Sequence, residues 1–149
     1  MNLKVLQNEL ESDPLGLGYA SKSNEEIAAA MNAETLLSAS SRFRPVSDVW
    51  LQLARWDVLP SIKKASETEG HPLHTLAYAV MAFLTGPVEE FDLKDPMTQT
   101  LMAGLVQAGV INETQKAHLT SLSDKYESRA AQLGLPPVQY WDVGQVRGE

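Results

Sequence analysis

The chain has no cysteine. That excludes disulfides, thiolate metal sites and cysteine nucleophiles, and it suits an intracellular or virion protein. Basic charge is scarce: 12 Lys and Arg stand against 19 Asp and Glu, for a net charge of −7 and a pI near 4.9. Phosphate neutralisation is the main term in nucleic-acid binding, so the balance argues against binding through a basic face, and docking on anionic lipid is equally disfavoured. Long apolar runs are missing too. The longest uncharged stretches are 71–88 and 96–112, and the dense apolar part of the first, Leu76–Leu84, is too short to cross a bilayer. Met1–Leu10 carries Lys4 and Glu9 and does not read as a signal peptide.

What is present is a globular composition. The 149 residues are 44% hydrophobic and 21% charged, which fits one domain spanning 1–149 with its own core. Helical periodicity dominates. Leu3, Leu6 and Leu10 form a stripe that Asp13-Pro14 ends, because the residue before proline avoids the helical region. Ser23 and Glu26 have the spacing of a capping box and open a helix over 24–32. The stretch 35–44 reads as an exposed connection. Ser47 is the expected N-cap of a helix carrying Val49, Trp50, Leu53 and Trp56. Trp50 and Trp56 fall on different faces, one core and one near the surface. Pro60 suits the first turn of a helix over 61–68 that Gly70 closes, and 71–84 is the strongest buried helix. Asp95-Pro96 starts a further helix that Gly109 ends. Asn112 to Gln115 starts another, with the pattern running on through Tyr126 and Leu133 to Gly134. A short last turn or helix covers 139–146. No alternation of apolar and polar residues lasts long enough to predict a strand. The expected fold is all-α: a small single-domain bundle of about seven or eight short helices.

Chemistry-bearing patterns are weak. His71 and His74 share a helix face with Glu67 one turn earlier, but no third strong ligand stands at motif spacing, so no metal site is predicted. Glu89, Glu90, Asp92 and Asp95 form an acidic run without the alternating oxygen ligands and central glycine of a calcium loop. It reads as a solvated acidic loop, or as a contact for a basic partner. No nucleophile elbow, dinucleotide fingerprint or phosphate loop occurs. No cofactor and no catalytic residue are predicted, and the expected class is non-enzymatic. Tyr140-Trp141 is conspicuous, as tail packing or as an interface anchor, since Trp and Tyr are favoured hot-spot residues. Residues 42–64, with Arg42, Arg44, Arg55, Lys63 and Lys64, hold five basic and two acidic residues, a local +3 that leaves −10 for the rest. Such asymmetry lets a protein meet neighbours through two unlike faces.

Both ends of the chain carry a resemblance. Leu6-Gln7-Asn8-Glu9-Leu10 followed by Asp13-Pro14-Leu15-Gly16-Leu17-Gly18-Tyr19 is similar to the opening of a family of small uncharacterised tailed-bacteriophage proteins. That family begins with a Leu-x-x-Glu-Leu helix, then Asp-Pro-Leu, two variable residues and Gly-Tyr. The helix ending Met31-Asn32 sits where the family has an alanine-rich helix ending Leu-Asn. Ser128-Arg129-Ala130-Ala131-Gln132-Leu133-Gly134-Leu135 resembles its Ser-Arg-Ala-Glu-x-Leu-Gly-Leu, with Ala131 in place of Glu and Pro136-Pro137 in place of a simpler link. The match covers about a third of the chain, and none of its motifs is catalytic.

The resemblance implies a phage product, encoded among virion genes. Two expectations follow. The first is a virion protein, a tail- or connector-associated structural or adaptor component in several copies, acting by protein–protein docking. Its partners would be other phage structural proteins or itself, without direct nucleic-acid or membrane contact. The second is an early protein in the host cytoplasm that binds and inhibits a host or defence protein. The candidate interface residues are Tyr140, Trp141, Arg42, Arg44, Tyr19, Glu89, Glu90 and Asp92. The Gly16–Ser21 linker would leave the N-terminal helix, 1–13, mobile or able to swap onto a neighbouring subunit.

Overall fold

The computed structural model describes residues 1–149. Nine α-helices and four very short strands make it a predominantly helical fold. No helix is long and apolar enough to cross a membrane. The residues gather into two compact units, 1–38 with 125–149, and 39–124. Each unit has an apolar core of its own.

Unit 1 is built from both ends of the chain. Helix α1 (Leu3–Ser12) is capped by the Asn2 side chain, and Asp13 ends it with φ 39°. The Asp13 carboxylate then accepts the Leu17 and Gly18 N–H groups, each at 2.7 Å. Gly16 and Gly18 take positive φ, which this tight turn needs. Far from being a mobile linker, the segment drops Tyr19 into the core. Helix α2 (Asn24–Asn32) opens with the full capping box of Ser23 and Glu26. Leu6, Tyr19, Ile27, Met31, Val138 and Val143 are all but inaccessible to solvent. The last two come from the C-terminal side, which supplies α8 (Arg129–Gln132) and α9 (Tyr140–Arg147). In this chain α1 is packed on its own unit, with Leu6 sealed inside it. Asn32 stitches the two ends together, donating to the Val138 carbonyl at 2.7 Å and accepting the Val138 N–H at 2.8 Å.

Strands β1 (Leu36–Leu37) and β4 (Tyr126–Glu127) close unit 1 as an antiparallel pair, Leu36 opposite Glu127 and Leu37 opposite Tyr126. The sequence predicts no strand here. Two residues are too few to show alternation, and the helix expected from 112 through to 134 in fact stops at Ser121.

Unit 2 lies between them in the chain. Strand β2 (Phe43–Pro45) leads into α3 (Val46–Arg55), followed by α4 (Leu59–Glu67) and α5 (His74–Thr85). Pro45, and not Ser47, occupies the N-cap position of α3. Pro60 sits in the first turn of α4 as its missing N–H allows. Pro72 delays the start of α5 to His74. Strand β3 (Glu90–Asp92) returns antiparallel to β2, with Phe43 opposite Asp92, Arg44 opposite Phe91 and Pro45 opposite Glu90. Helix α6 (Pro96–Gln107) is capped by Asp95, and α7 (Glu113–Ser121) by the Asn112 and Gln115 box. Leu53, Ile62, Leu84, Leu93, Leu105 and Leu119 are among its core residues. Trp50 and Trp56 are both half-buried rather than split between core and surface, with the Trp50 indole N–H donating to the Leu84 carbonyl at 3.0 Å.

Candidate functional site

The candidate residues fall into separate places. In unit 1, Val143 is fully buried and Gly144 lies inside, which fixes the inward side of α9. The Asp142 carboxylate accepts the Gln139 N–H at 2.9 Å and tightens the first turn. Tyr140 and Trp141 are consequently held on the outer side, 51% and 58% exposed. Their rings meet edge to face, centroids 5.0 Å apart and planes at 72°. This is a preferred arrangement of aromatic quadrupoles, and it presents two large amphipathic rings on a rigid helix. The tail is packed, but through Val143 and Val138, while the aromatic pair is left free.

Tyr19 is corrected as an interface candidate. It is 1% exposed. Its hydroxyl lies 3.3 Å from Glu9 Oε1 and 3.0 Å from the Met31 sulfur. Burial, followed by the nearby Glu9 charge, pushes its phenol well above the ordinary range, so the proton stays on and keeps donating. Glu9 is in turn gripped by Arg129, whose Nε and Nη2 each donate at 2.8 Å. The hydrogen bonding to Glu9 holds the Arg129 guanidinium in its charged form against the opposing effect of burial. Arg129 thus has a structural partner across the chain, where its place in the sequence suggests capping of helix carbonyls.

In unit 2, Arg42 and Arg44 are exposed, yet each is already paired. Arg42 binds Asp92 through Nε at 3.1 Å and through Nη2, and Arg44 binds Asp48 at 2.6 Å. The basic middle of the chain is therefore partly neutralised within its own unit. Arg42 holds the Asp92 carboxyl below its usual range, against partial desolvation, and the Lys94 N–H helps. Glu89 and Glu90 are exposed, and Glu90, two residues from Asp92 on β3, shares its face of the ladder.

Beside them lies a cleft that the sequence does not reveal. Phe43 of β2 and Phe83 of α5 stand next to Phe91 of β3 and the Gly86–Val88 loop. Nothing local in the sequence tells that Phe91 shares a surface with a residue 48 positions earlier. The only signal in the sequence is that Phe43 stands between Arg42 and Arg44 after a serine-rich stretch.

The histidines make no cluster. His71 accepts the Leu73 N–H at 3.0 Å, and His74 lies 3.1 Å from the Ala65 carbonyl. His118 stands edge-on to Trp56. No group of three His, Asp or Glu side chains converges in a way that could hold a metal ion. Comparisons with protein-family models, with curated proteins and with solved structures give no match.

Proposed function

We propose that this chain is a non-enzymatic bacteriophage virion protein, a tail- or connector-associated structural or adaptor component that works by docking to other proteins. The observation that carries the docking role is the exposed Tyr140–Trp141 pair on the firmly seated α9. Rigid aromatic side chains lose little entropy on being covered, so they make efficient anchors. The resemblance of both chain ends to small tailed-phage proteins supports the virion setting. Partners are other structural proteins of the particle or further copies of this chain.

Mass spectrometry of purified particles tests the setting. The protein is expected in stoichiometric amount, and its absence from the particle overturns the reading. A stoichiometric host partner in an infected-cell pull-down would then put the inhibitor role in its place. Trp141→Ala tests the mechanism. Its partner affinity is expected to fall about thirtyfold, as for an aromatic hot spot, while thermal stability stays within about 0.5 kcal/mol because the ring is exposed.

A further inference from the structure

The loop after α5, together with β2 and β3, borders a groove of about 480 Å³ in unit 2. That lies within the roughly 300–1,000 Å³ of ligand clefts. Its wall is aromatic: Phe83 and Phe91 stack with centroids 6.0 Å and planes 29° apart. Phe91 is buried, whereas Phe83, Phe43 and Val88 are all exposed. Contiguous apolar surface of this kind, rimmed by polar residues, marks an interaction site.

The rim is of one charge sign. Glu90, Asp92 and Asp95 line the groove, and no lysine or arginine does. Asp92 is occupied by Arg42, and Asp95 caps α6 by accepting the Met97 N–H at 2.9 Å. Neither Asp95 nor the exposed Glu90 forms a direct ion pair; Arg42 attracts Asp95 from nearby, so Glu90 is the carboxylate left uncompensated beside the aromatic wall, with Asp95 only partly answered.

We infer that this groove binds a segment of a partner protein in which an aromatic or branched apolar side chain is flanked by lysine or arginine. The apolar side chain lies against Phe83 and Phe43, and the flanking cation faces Glu90 and Asp95. Charge complementarity selects this occupant: an acidic segment would bring like charge onto Glu90, and a purely apolar one would leave the rim unanswered. A second copy of this chain is the competing occupant, since Arg55, Lys63 and Lys64 form no ion pairs. The inference goes beyond the docking role of Tyr140 and Trp141 and rests on unit 2 alone.

Selection of a random dodecapeptide library on the immobilised full chain tests it, followed by fluorescence anisotropy with the enriched peptides. The expected peptides share an aromatic residue or leucine beside lysine or arginine, and their affinity falls as salt rises. Phe43→Ser and Glu90→Lys are each expected to weaken binding at least about tenfold. Both positions are exposed, and an unchanged far-ultraviolet circular dichroism spectrum will show that the variants fold. Three outcomes each overturn the inference: no enriched basic–apolar pattern, binding indifferent to both variants, or a concentration-dependent dimer of the unmodified chain that Glu90→Lys abolishes. The particle assay fails separately, because a protein missing from virions would still bind these peptides.

Discussion

Arg129 grips both carboxylate oxygens of Glu9, with two bonds of 2.8 Å, across 120 residues of sequence. The pair is almost out of water, with 17% of the Arg129 and 4% of the Glu9 side chain accessible. It also receives the Tyr19 hydroxyl, so three segments of unit 1 meet there.

Arg129→Ala should therefore destabilise unit 1 by about 3 kcal/mol, because it strands a buried carboxylate. The double variant Glu9→Leu with Arg129→Leu should lose less than Arg129→Ala alone, since no unpaired charge remains. Urea denaturation of the three proteins checks both statements, and a double variant weaker than the single one would contradict the second.

Asn32→Ala should cost about 1–3 kcal/mol. It removes both hydrogen bonds to Val138, whose N–H and carbonyl sit at a buried position with no other partner to take over. Hydrogen exchange at the Val138 amide should accelerate more than in the helices of unit 2.

The Arg42–Asp92 pair sets a pH dependence. Asp92 binds its proton more weakly when folded than its ordinary value of 3.8 implies, chiefly through the hydrogen bond from Arg42. Its contribution to stability is present above that value and is lost as pH falls below it. The stability gap between the native chain and Arg42→Gln should be widest near neutrality and close as pH falls through the lowered Asp92 value. Both groups lie at the surface, so added salt should narrow the gap as well. Denaturant midpoints across pH measure this, and a gap that widens on acidification would be the opposite of the expected sign.

Residues 39–124, expressed alone, should fold. Their core is self-contained, and the two ends lie side by side, with the Ser123 hydroxyl donating to the Ser41 carbonyl at 3.3 Å. Cooperative unfolding and dispersed amide resonances are expected; a disordered spectrum would show that this core depends on the rest of the chain.

Local punctuation was readable. The capping boxes at Ser23 and Asn112, the Asp95-Pro96 start and the left-handed Gly70, Gly109 and Gly134 all stand where the residue types place them. Each depends on atoms within a few residues, so spacing alone reveals it. The strands were not readable. β1 and β2 are two and three residues long, and what makes them strands is pairing with β4 and β3 far along the chain. The exposure of the candidate residues was legible in part. Tyr140 and Trp141 are exposed as an anchor must be, but Tyr19, of the same residue type, is core because Asp13 and Gly18 turn it inward.

The sequence by itself determined the helical class, most helix starts and stops, and an acidic chain without thiol chemistry. Tertiary structure alone decided that two cores form instead of one, that Arg42 and Arg44 spend their charge on Asp92 and Asp48, and that Phe43 joins Phe83 and Phe91 around one groove. The physical reason is range. Caps and periodicity act over a single helical turn, whereas burial and charge pairing depend on which distant segments the folded chain brings into contact.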